Sequence, residues 1–208
     1  CGDRKREIRF IDQRTFGWVA IDQLVHEGDE LIPQSFARIA PDIFDKKFDR
    51  TAVISKIQKK NSAIKRVLLD QSVMSGVGNI YADEALWQAA IHPERISKKL
   101  SEQEISTLLD AVSFVMSEAL KQGGTSFDDL YINVNGESGY FDVELEAYGQ
   151  EDEPCSRCGT QIRRITFGNR SSHFCPSCQP KKSLRRKVEV KKVRVKRGSK
   201  PSVRGATR

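Results

Sequence analysis

The sequence contains no apolar run of 18 residues, which excludes a transmembrane helix. Its start, Cys1-Gly2-Asp3-Arg4-Lys5, is polar and charged where a secretory leader would need an apolar core. It contains no complete G-x-G-x-x-G, and no glycine-rich loop closing in Lys-Ser or Lys-Thr, so the usual signatures of nucleotide-cofactor loops are missing. Most of the chain is also short of positive charge. The first 180 residues carry 22 Lys and Arg against 27 Asp and Glu, whereas residues 181–208 carry 13 against one. The formal net charge of +7 therefore belongs to the tail. That tail has too little apolar bulk to offset the entropy of ordering, and reads as a disordered basic segment. Such a segment is either a handle for nucleic acid or simply a solvating end. A polyanion-binding surface on the acidic body has to be a local patch. Met is absent at position 1, and the alternating segment REIRFI at 6–11 reads as a strand within a domain. The chain is accordingly expected to lack its natural N-terminus.

Against these absences stand five cysteines. Cys155-x2-Cys158 and Cys175-x2-Cys178 form two pairs with sixteen residues between them. Each x2 spacing lets one tight turn present two sulfurs to one ion, and four thiolates complete a tetrahedral Zn²⁺ shell. Gly159 follows the first pair as such a knuckle requires. The competing use of these cysteines is two disulfides of a secreted domain, or a redox pair. Without a visible leader, the pattern predicts one structural zinc. Cys1 is left without a role.

Charge alternation predicts a strand at 6–11, and GWVAI at 17–21 reads as a second one. Residues 22–48 read as an irregular connector. From about 49 to 121 the apolar spacing is helical. Val53, Ile54 and Ile57 share one face, as do Ala63, Ile64, Val67 and Leu68, with Asn61 or Ser62 expected as N-cap. A helix over IYADEALWQAA is expected to break at His92-Pro93. Ser101 and Glu104 have capping-box spacing ahead of a long helix that Gly123-Gly124 should end. The segment 124–139 reads as a long functional loop, and two short strands are expected around the turn FGNRSS between the cysteine pairs.

The stretch Ser75–Leu86, SGVGNIYADEAL, places Gly76 and Gly78 before a helix that starts near Asn79. Free N–H groups and the dipole at a helix start attract phosphate, and Gly78 lets backbone approach closely. The ordinary alternative is a cap between two helices. Lys59, Lys60 and Lys65 lie just upstream and could add charge to the same site.

The run AIKRVLLDQSVMSGVGNIYADEALWQAAIHPER, then GYFDVELEAYGQEDEPCSRCGT, then the FGNR turn and the closing cysteine pair, resembles formamidopyrimidine-DNA glycosylase over residues 6–179. The related endonuclease VIII group shares this architecture, but the wording GNIYADEALWQAAIHP favours the former. The resemblance implies an α+β chain. Its parts would be a remnant of an N-terminal β-sandwich with connector (1–45), a helix-two-turn-helix domain (46–122), a lesion-capping loop with lead-in (123–145), a zinc-ribbon β-hairpin finger (146–180) and the basic tail (181–208). It implies base-excision repair of oxidised purines (8-oxoguanine, formamidopyrimidines) in double-stranded DNA, with β,δ-elimination. The protein would be a monomer, not membrane-bound, in the bacterial cytoplasm at the nucleoid.

Residue by residue, the resemblance implies that Asn79, with Gly78, contacts a backbone phosphate at the lesion. Lys60 and Lys65 would lie on the same DNA face. Arg170 at the finger turn would grip phosphate and take part in elimination. Arg14 and Phe16 would enter the duplex where the base has left, with Thr15 standing where the family usually has a basic residue. Cys155, Cys158, Cys175 and Cys178 would hold the zinc. The family's nucleophilic proline, its neighbouring glutamate and its assisting lysine are not in this sequence, so the chain alone is expected to bind DNA without cutting it. Two other classes remain open: a non-catalytic zinc-dependent DNA-binding module, and a zinc-ribbon RNA-binding or ribosome-associated protein.

Overall fold

The computed structural model describes Phe10, residues 17–122 and residues 145–181. The strand expected at 6–11 apart from Phe10, Arg14, Phe16, the loop at 124–139 and nearly all of the basic tail lie outside these residues.

The segment read as an irregular connector contains a hairpin. Strands β1 (Leu24–Glu27) and β2 (Glu30–Pro33) pair antiparallel, with Val25 opposite Ile32 and Glu27 opposite Glu30. The apolar stretch GWVAI forms no strand, and Trp18, Val19 and Ile21 are largely exposed. A strand exists only where a ladder partner exists, and among the described residues β1 and β2 pair only with each other. Local alternation could not reveal that choice.

Among the described residues four α-helices follow: α1 (Arg50–Lys59), α2 (Ile64–Leu68), α3 (Asn79–Gln88) and α4 (Glu102–Lys121). Asp49 caps α1 by accepting from the Ala52 N–H at 3.0 Å. Neither Asn61 nor Ser62 caps α2, whose cap residue is Ala63. Its first N–H groups are taken instead by the carbonyls of Arg95 (2.7 Å) and Pro93 (3.2 Å), because the 93–97 segment folds back along the helix start. The helix over IYADEALWQAA stops at Gln88, ahead of the proline, with Ala90 left-handed (φ 54°). Between α2 and α3 the chain makes two turns. Gly76 sits there at φ 84°, a conformation that favours glycine, and an added Cβ would lie 3.1 Å from Met116 Cε, which would have to give way.

The helical core joins Ile57, Ile64, Leu68, Met74, Leu86, Ile105, Leu108 and Leu109, all essentially inaccessible. Burial of each such side chain contributes about 1.5–3 kcal/mol. The capping box forms as expected: Ser101 Oγ accepts from Glu104 N (3.2 Å), and Glu104 Oε2 accepts from Ser101 N (2.8 Å). Ser101→Ala should lower stability by about 1 kcal/mol in urea unfolding, with the m-value unchanged.

Helix α3 is buried at six consecutive positions, Ala82 through Trp87. It has two packed faces. Ala82, Ala85 and Leu86 face the helical core, whereas Trp87 joins a second cluster with Ala147, Ile162, Cys155 and Cys175. That cluster belongs to the last unit, a hairpin of β3 (Arg163–Phe167) and β4 (Arg170–Phe174) with Phe167 opposite Arg170. Helix α3 is thus the shared wall between helices and hairpin.

Candidate nucleic-acid interface

The start of α3 meets the turn of the β3–β4 hairpin. Asn79 is the first helical residue, and its Nδ2 donates to the Ser171 carbonyl at 3.2 Å. Gly78 precedes it and supplies no side-chain cap, so the positive end of the α3 dipole has no capping side chain across it. Arg170 opens β4 next to Ser171, with its side chain exposed. Asn79 and Arg170 both line an open cleft of about 900 Å³, with Gly168, Asn169, Arg164 and Glu151 around it. A helix start, a side-chain amide and a guanidinium from separate elements therefore converge. Charge-assisted bonds from such a set suit a phosphate group.

The two lysines do not line this cleft. Lys65, expected on the same DNA face, is fully buried, and its ammonium pairs with Asp83 Oδ1 at 2.6 Å and donates to the Ser171 carbonyl at 2.8 Å. Burial pushes its pKa below the usual lysine value, against the pull of Asp83. An ammonium enclosed in this way cannot touch a phosphate from solvent; it braces the hairpin instead. Lys60, at the end of α1, is partly exposed and pairs with Asp70 at 2.7 Å. Hydrogen bonding from Lys60, then from Ser72, holds the Asp70 carboxyl down to about 2.

Sequence reasoning missed the residues that join hairpin to helices. Asp83 Oδ1 accepts from Ser172 Oγ (2.8 Å), and Oδ2 accepts from His173 N (2.9 Å). Glu84 accepts from three successive backbone N–H groups, Glu146, Ala147 and Tyr148, at 2.8–3.0 Å. Burial raises its pKa, while those donors pull it the other way. Gln179 donates to the Ile91 carbonyl (2.9 Å) and accepts from Cys175 N (2.8 Å). The available signal was two adjacent acids inside an otherwise apolar helix, since buried carboxylates are rare without partners.

The four predicted cysteines come together. They are free thiols whose sulfurs all lie within 4.8 Å of one another. The first knuckle turns on hydrogen bonds from Cys158 N (3.2 Å) and Gly159 N (2.7 Å) to the Cys155 carbonyl, and Gly159 takes φ 72° there. Four sulfurs at this spacing fit a closed tetrahedral shell, and Cys155, Cys158, Cys175 and Cys178 hold one structural zinc. Trp87 reaches this centre from α3: its Nε1–H points to Cys155 Sγ at 3.4 Å, and the Arg157 guanidinium lies 3.9 Å from its ring centroid.

The geometry has counterparts. Residues 39–130 match the formamidopyrimidine-DNA glycosylase H2TH domain, and residues 152–181 match the zinc finger found in FPG and IleRS. The formamidopyrimidine-DNA glycosylase of Rhodococcus opacus (strain B4) is 58% identical over 177 residues, covering 85% of this chain and 61% of that protein. That of Mycobacteroides abscessus is 57% identical over 173 residues, 83% and 60% respectively. The crystal structure of MutM (FPG) from Thermus thermophilus superposes with a TM-score of 0.67 at 33% identity, over 72% of this chain and 59% of that one. The Lactococcus lactis Fpg complex with DNA containing an abasic site gives 0.64 at 37%, over 72% and 57%. The chain thus spans about three fifths of the length of the curated relatives it matches. With the H2TH and zinc-finger matches and 58% identity over 85% of its length, the chain belongs to the formamidopyrimidine-DNA glycosylase family.

Proposed function

We propose that this chain is the DNA-gripping part of a base-excision-repair glycosylase and lyase for oxidised purines, which holds lesion-bearing duplex as a monomer. The observation that carries this reading is the convergence of Asn79 and Arg170 on one cleft at the start of α3. A cleft built this way suits a backbone phosphate beside a base rotated out of the stack. In the relative from Lactococcus lactis the bound molecule is DNA with an abasic site or a Fapy-dG. Arg170 supplies a fixed cation to a phosphate whose neighbouring sugar undergoes elimination. Asn79 and the α3 start supply neutral donors to the same group. Gly78 leaves the approach open, since nothing lies within 4 Å of where its Cβ would stand.

Lys65 is not an amine nucleophile in this arrangement, because its ammonium is enclosed and paired. No lysine lines the cleft among the described residues, so the 208-residue chain should bind without cutting. Binding of a duplex carrying a tetrahydrofuran abasic analogue should exceed that of undamaged duplex and of single-stranded RNA. It should weaken with salt by roughly 0.9 log unit per neutralised phosphate for each log unit of salt. Borohydride treatment with a natural abasic site should trap no adduct. Preference for RNA would remove the repair reading, and a trapped adduct would show that the chain carries its own nucleophile.

A further inference from the structure

Asn79 and Arg170 sit on different elements, so something has to fix their separation. The direct link between them is thin: a single neutral hydrogen bond from Asn79 to the Ser171 carbonyl. The stronger connection lies one helical turn further along α3, on the same face, at Asp83. Its carboxylate takes the Lys65 ammonium and the Ser172 hydroxyl on one oxygen and the His173 N–H on the other. Lys65 in turn donates to the Ser171 carbonyl, the same atom Asn79 uses. Residues 171, 172 and 173 of β4 are therefore each tied to this one buried pair, and Arg170 is the next residue outward. Both side chains of the pair are fully inaccessible. Such a pair is weak evidence for stability, since two well-packed apolar residues often do as well, but it fixes geometry. It also neutralises an ammonium close enough to Arg170 for the two positive charges to repel.

We propose that Asp83, through Lys65 and Ser172, is a positioning residue that sets the Arg170 guanidinium against Asn79. It touches no DNA itself. The proposal rests on the reading of the cleft as a phosphate site, and the test separates the two. The 208-residue chain is compared with Lys65→Met/Asp83→Leu, which removes the pair without leaving a lone buried charge, each with and without Arg170→Ala. Zinc content and thermal melting report folding, and titration of tetrahydrofuran duplex at several salt concentrations reports the grip.

The expected result is a folded, zinc-loaded double variant that binds about tenfold more weakly, with a salt slope reduced by about one phosphate. Arg170→Ala should then cost little more in that background, although it costs about tenfold in the native one. A role in folding alone would not produce that coupling. Native binding by the double variant, or an equal cost of Arg170→Ala in both backgrounds, overturns the proposal while leaving the phosphate site standing. No effect of Arg170→Ala on the native chain removes the phosphate site and the proposal with it. If the double variant fails to fold, Ser172→Ala removes one tie only. It should weaken binding several-fold and reduce the cost of Arg170→Ala, and unchanged values for both overturn the proposal.

Discussion

The Cys158→Ser chain, or the native chain held in a strong chelator, should lose its preference for lesion duplex and bind at least about a hundredfold more weakly. That corresponds to about 2.7 kcal/mol. The reason is structural. Zinc bound by all four cysteines would join the two knuckles, and bound structural zinc contributes about 10–16 kcal/mol in isolated finger peptides at neutral pH. Without it the β3–β4 hairpin keeps its polar ties to Asp83 and Lys65 and a small apolar cluster shared with α3 through Trp87, with no metal to hold the two knuckles together. Arg170 then leaves the cleft with the hairpin, and Asn79 loses its tie to Ser171. The metal-free thiols are unequal: hydrogen bonding with Thr160 draws Cys158 down to about 6, whereas burial and the neighbouring sulfurs push Cys178 up to about 12. Zinc binds the thiolate form of cysteine, so loading should release protons and weaken as pH falls. Zinc analysis alongside fluorescence anisotropy on labelled duplex checks the result. Native affinity in zinc-free protein would show that the finger is not part of the grip.

The features legible in the sequence were those set by a few neighbouring residues. The capping box at Ser101 and Glu104, the start of α3 at Asn79 and the zinc knuckles each follow from spacing within about one turn. Where the outcome depended on distant partners, local pattern failed. The N–H groups at the start of α2 are satisfied by a segment some thirty residues on, so neither Asn61 nor Ser62 was needed as a cap. Lys65 looked like a surface charge beside a phosphate loop. Its burial is set by Asp83 and by Ser171, which lies 106 residues away. The same holds for Asp83 with Ser172 and for Glu84 with Ala147. Helical periodicity assigns one buried face to α3, but the helix is enclosed on two. Its second face became visible only once the finger was docked. The hairpin at 24–33 hid for a related reason: its strands are four residues long and its inward residues are few, so alternation carried little signal there.

Trp87→Ala should be the most damaging change outside the metal ligands. Trp87 is almost fully buried and carries three links at once: packing against the finger cluster, the Nε1–H contact to Cys155 Sγ, and the Arg157 guanidinium over its ring. Truncation of a buried aromatic costs about 3–5 kcal/mol, a large share of a typical domain's stability. The loss should be local. Trp87 belongs to the finger cluster and not to the helical core around Leu86 and Leu108, so the two should separate. Hydrogen exchange should rise over residues 145–181 and stay near native in α1 and α4. Trp87→Phe separates packing from the sulfur contact. A phenyl ring retains most of the apolar area and the cation contact but offers no N–H to Cys155, so its cost should be smaller and appear mainly as faster zinc release to a chromogenic chelator. If exchange instead rises evenly through finger and helices in Trp87→Ala, then α3 transmits the damage and helices and finger unfold as one cooperative unit. Zinc release from Trp87→Phe at the native rate would mean that the Nε1–H contact does not stabilise the metal site.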